Sequence, residues 1–392
     1  MKVRNLNMPR NLDCLCVNAG SSSLKLVLYR VEPDRSTRRR VAGTAREIGR
    51  SGSGVEVEGN RQALPLANHV EALWALLERM KLPAIDAIGH RLVHGGEHTH
   101  TQPMTPELLA DLQRAIPLAP LHLPPALACI EALEQEFSKL PQVACFDTAF
   151  HADLPELAST LPLPQYYRNK GLRRYGFHGL SYEYIRDRLG PRTQGRVVIA
   201  HLGNGASLSA LRDGHPLDTT MGFTPSGGIM MGTRTGDIDP GVLLYLLREE
   251  KLDLTELERV IDQESGLLGV SGISADVATL LDQTEQPQAR LALELFAHQV
   301  RKAIGSFAAV LGGLDRLVFT GGIGEQAATV RLAICSNLEF LGIDLDWAAN
   351  TANAPVITTP DSKCTVEIIP TDEDAMIARH VYQLLCVERV GK

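Results

Sequence analysis

The sequence contains no apolar run approaching the length of a membrane span, which sets aside an integral membrane protein. It also has no CxxC pair. Its seven cysteines (14, 16, 129, 145, 335, 364 and 386) are odd in number and scattered, and they read as small buried hydrophobes in a reducing compartment. Cys14 and Cys16 share a strand face without being placed to bond. There is no excess of positive charge: 39 basic against 46 acidic residues give a formal charge of −7. That balance disfavours a general binder of nucleic acid or anionic membrane, but leaves room for local basic pockets. No GxxxxGK[ST] occurs, so this is not a P-loop enzyme, and no GxGxxG with a distant acid follows the first strand, which weakens a dinucleotide reading. Early positive charges precede Asp13 and Asn18, which interrupt what would be a signal-peptide core, so a cytoplasmic location is expected.

What is present is the composition of a soluble globular chain, 44% hydrophobic and 22% charged over 392 residues. That length exceeds one ordinary core and predicts two or three domains, with about three-quarters of the unfolded surface buried. After a polar lead-in over residues 1–11, Leu12–Val17 and Leu24–Tyr29 read as strands flanking the turn 18–23. A basic loop (Arg35, Arg38, Arg39, Arg40) reads as a solvated hairpin tip, and Val55 and Val57 alternate as in a strand. Val70, Leu73, Trp74 and Leu77 follow helical spacing up to Pro83. Thr105-Pro106 reads as an N-cap with proline at the first helical position, and Leu109, Leu112 and Ile116 as the inner face of that helix. Residues 85–93 and 142–146 read as buried strands, and Pro117–Pro125 as a rigid loop. A long amphipathic helix is expected near 288–311, a buried strand at Leu317–Thr320, and a last helix from about Thr371.

A second strand–turn–strand spans Val197–Ala200, the turn Gly203–Ser207 and Leu208–Leu211. It answers the first, with Gly20 and Gly205 lying 185 positions apart. This reads as an internal duplication: two related domains, each opening with a hairpin of phosphate-binding type. Three glycine-containing turns (18–23, 203–207 and 321–324) each follow an apolar strand. Their backbone N–H groups can approach an anion, and hydroxyls at 21–23 and Lys25 add donors. Tight hairpins use the same residues structurally, yet three together point to a polyphosphate held between two domains.

Arginine and histidine recur beside glycines. Arg91 and His94 flank Gly95-Gly96, His178 stands between Gly176 and Gly179 in a place suited to an exposed catalytic histidine, and Arg234 is isolated in a loop. Guanidinium forks suit phosphoryl oxygens and carboxylates. The histidines at 90, 94, 98 and 100 lack the helix, thiolates and HExxH of a zinc site. Asp372 reads as an N-cap, while Asp147 and Glu373 are the better Mg²⁺ candidates and Asn18 suits the same hydration shell.

The chain resembles the acetokinase family, within the actin, sugar-kinase and chaperone-ATPase superfamily. The residues that carry the resemblance run from about 12 to 388: VNAGSSSLK, GHRLVHGGE, APLH, FDTAFH, YGFHG, HLGNGAS, DTTMGFTP, MGTRTGDIDPG, FTGGIGE and PTDE. It implies an α/β fold of two duplicated ribonuclease-H-like domains, with mixed sheets flanked by helices and the active site in the cleft between them. The expected boundaries are 12–150 plus 372–392, and 151–371 for the nucleotide-binding domain. The implied activity is reversible transfer of the ATP γ-phosphoryl group to acetate by a homodimer, with Mg²⁺ (Mn²⁺ as an alternative) and ATP/ADP as co-substrate.

By the same resemblance, Asn18, Asp147 and Glu373 match metal and phosphate-positioning residues. Arg91 and Arg234 match the arginines that hold acetate and the transferring phosphoryl group. His178 matches the transition-state histidine, and His122 and His201 further active-site histidines. Val93, Leu121 and Pro225 match the methyl pocket. The nucleotide positions are Ser21, Ser23, Lys25, His201, Leu202, Gly203, Asn204, Gly205, Asp276, Gly321, Gly322, Ile323 and Gly324. The sequence departs from the usual pattern at Leu123, Leu180, Tyr182, Ser226-Gly227, Gln326 and Ala278, where an arginine near the adenosine is usual and threonine and histidine are usual at 180 and 182. A propionate kinase of the same family is the nearest alternative, against which Val93 leans toward acetate. A non-catalytic nucleotide-binding switch is the other, and it would have no reason to keep Arg91, Arg234 and His178 together.

Overall fold

A computed structural model describes residues 11–387; the lead-in at 1–10 and the end of the expected first domain at 388–392 lie outside the described residues. The chain divides into two compact units. One comprises the chain up to Phe150 together with the segment from Asp372, and the other is His151–Thr371.

The first unit is built on eight strands: β1 (Leu12–Ala19), β2 (Leu24–Val31), β3 (Thr37–Arg46), β4 (Gly54–Val57), β5 (Asn60–Ala63), β6 (Ala87–Leu92), β7 (Gln102–Pro103) and β8 (Gln142–Phe146). They lie in the order β5-β4-β3-β2-β1-β6-β8-β7. β1, β2 and β3 are antiparallel neighbours, while β1, β6 and β8 run parallel. The second unit has β9 (Arg196–Leu202), β10 (Ala206–Arg212), β11 (His215–Thr219), β12 (Arg316–Thr320) and β13 (Thr365–Ile368), ordered β11-β10-β9-β12-β13. Here too the first three strands are antiparallel, and β9, β12 and β13 are parallel. Matched strand for strand, β3-β2-β1-β6-β8 and β11-β10-β9-β12-β13 have one order and one set of directions. The two similar glycine turns join the first strand to the second in each sheet. Parallel strands need crossovers covered by helices, and so β1, β6, β8, β9 and β12 are buried almost throughout.

The long helix falls at Pro287–Leu311, with Phe296, Val300, Ile304 and Phe307 buried on one face. The last helix, Glu373–Tyr382, is capped by Asp372, whose side chain accepts from the Ala375 N–H. It packs on the first unit's sheet over Gly89. A Cβ there would lie 2.4 Å from an Ile377 methyl and 2.8 Å from one of Val381, so only glycine lets the helix seat on β6.

Local expectations are corrected at three places. Of the basic residues, only Arg35 lies in a turn, with a φ of 65°, whereas Arg38–Arg40 lie within β3 and are all exposed. Helix His69–Met80 buries Ala72, Leu73, Leu76 and Met80, while Trp74 faces outward; the i, i+3, i+4 pattern fitted two adjacent faces, and the smaller residues took the inner one. The proline-rich stretch is not a loop throughout. A 3₁₀ turn occupies Ile116–Leu118, and helix Leu123–Glu136 begins inside the stretch, with Pro124 and Pro125 in its first turn, where a missing N–H costs nothing. Six of the seven cysteines are buried, and Cys386 is half-buried.

Candidate active site

In the first unit, Asn18, Arg91 and Asp147 sit at one edge of the sheet, at the ends of the parallel strands β1, β6 and β8. Asn18 pairs directly with Arg91 across β1 and β6, and the Asp147 N–H bonds to the Leu92 carbonyl at 2.9 Å. Carboxyl ends of parallel strands are where α/β sheets place ligands, because the crossover loops diverge there. Arg91 is the hub. Its Nε and Nη2 donate to the two oxygens of Asp147 at 3.2 and 2.5 Å, and its Nη1 donates to Asn18 Oδ1 at 3.0 Å. Glu373, in the first turn of the last helix, lies 3.6 Å from Arg91 Nε. Burial disfavours the charge of Arg91, but Asp147 and Glu373 outweigh it and hold the pKa above the ordinary arginine value.

Behind this cluster, Lys25 forms an ion pair with Asp374 at 2.6 Å. Burial lowers and Asp374 raises the lysine pKa, with a net upward result. Tyr29 donates to Asp372 Oδ2 at 2.7 Å. The turn carrying Ser21 and Ser23 is held from outside by His69, whose Nε2 lies 2.8 Å from the Gly20 carbonyl. Val93, just after β6, is buried, and Leu121 is half-buried.

The second unit gathers the histidines. His178 precedes helix Gly179–Leu189 with a φ of 58°, a left-handed conformation uncommon for a non-glycine residue. It is 9% exposed, so the expectation of an exposed histidine is corrected: the flanking glycines serve backbone geometry, and the ring is packed. His178 stacks on His201 with ring centroids 4.3 Å apart. Its Nδ1 meets Ser207 Oγ at 2.8 Å, and His201 Nδ1 meets Ser181 Oγ at the same distance. Arg234 Nη1 donates to the Pro225 carbonyl at 3.1 Å. A Cβ on Gly205 would lie 3.3 Å from His178 Nε2 and 3.7 Å from Arg234 Nη1, so both donors reach over the same backbone point.

The other expected nucleotide positions lie in the same unit, and a Cβ on Gly321 would lie 2.7 Å from the Leu202 carbonyl. Leu202 ends β9 beside the turn of Gly203, Asn204 and Gly205, closed by a 3.1 Å bond from the Gly203 N–H to the Gly205 carbonyl. Gly321, Gly322, Ile323 and Gly324 are not a free turn but the opening of helix Gly321–Gln326. Glu325 steadies it, accepting from the N–H groups of Gly321 at 2.9 Å and Thr371 at 3.2 Å. Asp276 is exposed and caps helix Val277–Leu281. His122 holds the cap position of helix Leu123–Glu136. Sequence reasoning passed over Ser207, Ser181, Asp374, Glu325 and His69; Ser207 and Glu325 were visible as the ends of HLGNGAS and FTGGIGE, while the others depend on pairings more distant in the chain.

The acetokinase family profile matches residues 13–379. The chain belongs to the acetokinase family. It is therefore a phosphotransferase with a carboxyl group as acceptor. Among curated members, an acetate kinase of Rhodopseudomonas palustris is 46% identical, over 94% of this chain and 98% of its own. A propionate kinase of Citrobacter rodentium is 43% identical, over 95% and 97%. The crystal structure of the acetokinase-family acetate kinase of Porphyromonas gingivalis superimposes with a TM-score of 0.84 at 37% identity, covering 97% of this chain and all of that one. A propionate kinase from Francisella tularensis gives 0.87 at 35% identity, over 94% and 98%.

Proposed function

We propose that the chain is an acetate kinase, transferring the γ-phosphoryl group of ATP reversibly to acetate to give acetyl phosphate and ADP by direct in-line attack. The observation that carries this reading is the buried, permanently charged Arg91, held by Asp147, Asn18 and Glu373 at the carboxyl edge of a parallel sheet. An acetate oxygen is already a nucleophile at neutral pH, so the reaction asks for no general base. It asks for alignment and for neutralisation of charge on the transferring group. Arg91 and Arg234 offer guanidinium forks for that purpose, and His178 offers Nε2 as a hydrogen-bond donor.

The donor set also fits a hard divalent cation. Asn18 supplies an amide oxygen and Glu373 a carboxylate, and Mg²⁺ needs few protein oxygens because it keeps waters and phosphate oxygens; Mn²⁺ accepts the same donors. When bound, the ion supplies charge neutralisation on the nucleotide phosphates. Asp147 keeps Arg91 oriented by taking its Nε and one hydrogen of Nη2. Val93, Leu121 and Pro225 are the apolar wall for the methyl group. Lys25, Ser21 and Ser23 line the first glycine turn. Residues 151–371 are assigned the nucleotide, with His201 to Gly205, Asp276 and Gly321 to Gly324 around it.

A second copy of the chain is the proposed partner. Helix Pro240–Arg248 supports this: it reads PGVLLYLLR and buries none of its residues, with Val242, Leu244 and Tyr245 about half exposed. Among the described residues no helix is long and apolar enough to cross a membrane, and a cytoplasmic location is proposed. The curated propionate kinase relative favours a second reading, since one methylene discriminates by only ~1–3 kcal/mol. Comparing kcat/KM for acetate, propionate and butyrate with ATP and Mg²⁺ tests both. A clear preference for propionate overturns the acetate assignment, and no ADP formation with any acid overturns the kinase reading.

A further inference from the structure

We propose that Tyr182 is a positioning residue which, acting through Ser207, fixes the neutral tautomer of His178 that carries its hydrogen on Nε2. This rests on the role given above to His178. Tyr182 lies on the first turn of helix Gly179–Leu189 and is fully buried, its ring edge-on to His151 at a centroid distance of 5.4 Å. Its phenolic oxygen is 2.5 Å from Ser207 Oγ, and Ser207 Oγ on β10 is 2.8 Å from His178 Nδ1. Three groups on two elements thus form one hydrogen-bonded file that ends on the imidazole.

The direction of the file follows from the inventory of hydrogens. The phenol is the stronger acid of the two hydroxyls and therefore the better donor to Ser207. Burial raises its pKa further, so it stays protonated at any working pH. A serine hydroxyl has a single hydrogen. With its oxygen accepting from Tyr182, that hydrogen is satisfied if His178 Nδ1 accepts it; were the oxygen to accept from both neighbours, the serine hydrogen would be left buried and without an acceptor. The imidazole hydrogen accordingly sits on Nε2, the atom that reaches over Gly205 beside Arg234 Nη1. His201, anchored to Ser181, stacks against the ring and opposes its rotation.

The chemical consequence is specific. An Nε2–H presents a donor to phosphoryl oxygens, whereas the opposite tautomer would present a lone pair to an anion. No proton changes hands; the file sets which nitrogen holds it. Tyrosine stands where the acetokinase pattern generally has histidine. A phenol suits this task because its donor does not depend on a tautomer of its own.

The test uses the full chain labelled with ¹⁵N-histidine, as wild type, Tyr182→Phe and Ser207→Ala, with His178→Gln serving only to assign signals. Two-bond ¹H–¹⁵N correlations report which ring nitrogen is protonated. The expected result is a single Nε2–H tautomer in the wild type and an added Nδ1–H population in both variants. With it, kcat should fall roughly 10- to 100-fold while KM for acetate stays within about twofold. A merely structural role for Tyr182 would lower the melting temperature and leave the tautomer unchanged. The proposal is overturned by a wild-type ring that is Nδ1–H or imidazolium, or by variants that keep Nε2–H alone. A wild-type chain that turns over no short carboxylate would instead sink the functional reading, with the tautomer readout standing on its own.

Discussion

Arg91 spends one whole edge of its guanidinium on Asp147, with Nε and Nη2 reaching the two carboxylate oxygens at 3.2 and 2.5 Å. Asp147 is completely buried. Removing the arginine therefore does two things at once: it deletes a donor from the proposed reaction centre, and it takes from a buried carboxylate its bidentate partner. Arg91→Ala is expected to lower kcat roughly 100- to 1000-fold and to cost about 3 kcal/mol of stability. Kinetics and thermal unfolding of the same preparation check both numbers.

Arg234 is the second guanidinium of the proposed mechanism, with Nη1 donating to the Pro225 carbonyl at 3.1 Å. Arg234→Ala should lose kcat by a similar factor. Near-normal turnover would remove Arg234 from the mechanism.

Glu373 should report on the proposed Mg²⁺ site. Glu373→Gln keeps the helix-opening shape but removes a charge, and the Mg²⁺ concentration for half-maximal activity is expected to rise roughly tenfold. Titration of activity against Mg²⁺ at saturating nucleotide is the measurement, and an unchanged midpoint would release Glu373 from that role.

His90 sets a pH dependence of stability. Buried on β6 with Nε2 2.6 Å from Gln142 Oε1, it is held down to about 4 by desolvation, which the Gln142 bond only partly offsets, against 6.5 when solvated. The folded value is the lower one, so the unfolded chain binds the extra proton between these limits. The contribution is therefore full above pH 6.5 and is lost as pH falls toward 4, by about 3 kcal/mol in all. His151, lowered to about 3 by burial and then by Arg174, adds a parallel loss. Denaturant unfolding of wild type and His90→Gln across this range should give the variant the shallower slope.

Ala278 bears on the nucleotide. It is exposed on the short helix capped by Asp276, where the family pattern has an arginine near the adenosine. Discrimination between ATP and GTP is expected to stay within about tenfold in kcat/KM. A strong ATP preference in the same assay would contradict this.

Legibility in the sequence followed the range of the interactions. Asn18, Gly20 and Gly205 were readable because a strand–turn–strand announces itself within ten residues, and the shared strand order of the two sheets has the same origin. Asp372 was readable as a cap because its partner, the Ala375 N–H, is three residues away. The start of helix Leu123–Glu136 was hidden because proline signals both a rigid loop and a first helical turn. The helix His69–Met80 was readable from its spacing, but periodicity does not say which of two overlapping faces turns inward, and Trp74 lies on the outer one. The tie between Tyr182 and His178 runs through a serine on a different element, and no spacing rule connects positions joined only by packing.

Gly89 and the helix that covers it also order events during synthesis. Ile377 and Val381 close over β6 from nearly three hundred residues downstream, whereas His151–Thr371 is continuous. On the ribosome the second unit can complete its sheet while the first still lacks its covering helix, with an apolar face open to water. A chain stopped before Asp372 would lose that cover and Glu373 together, leaving neither a finished first unit nor its carboxylate. Vectorial translation thus makes the earliest-made half the last to mature.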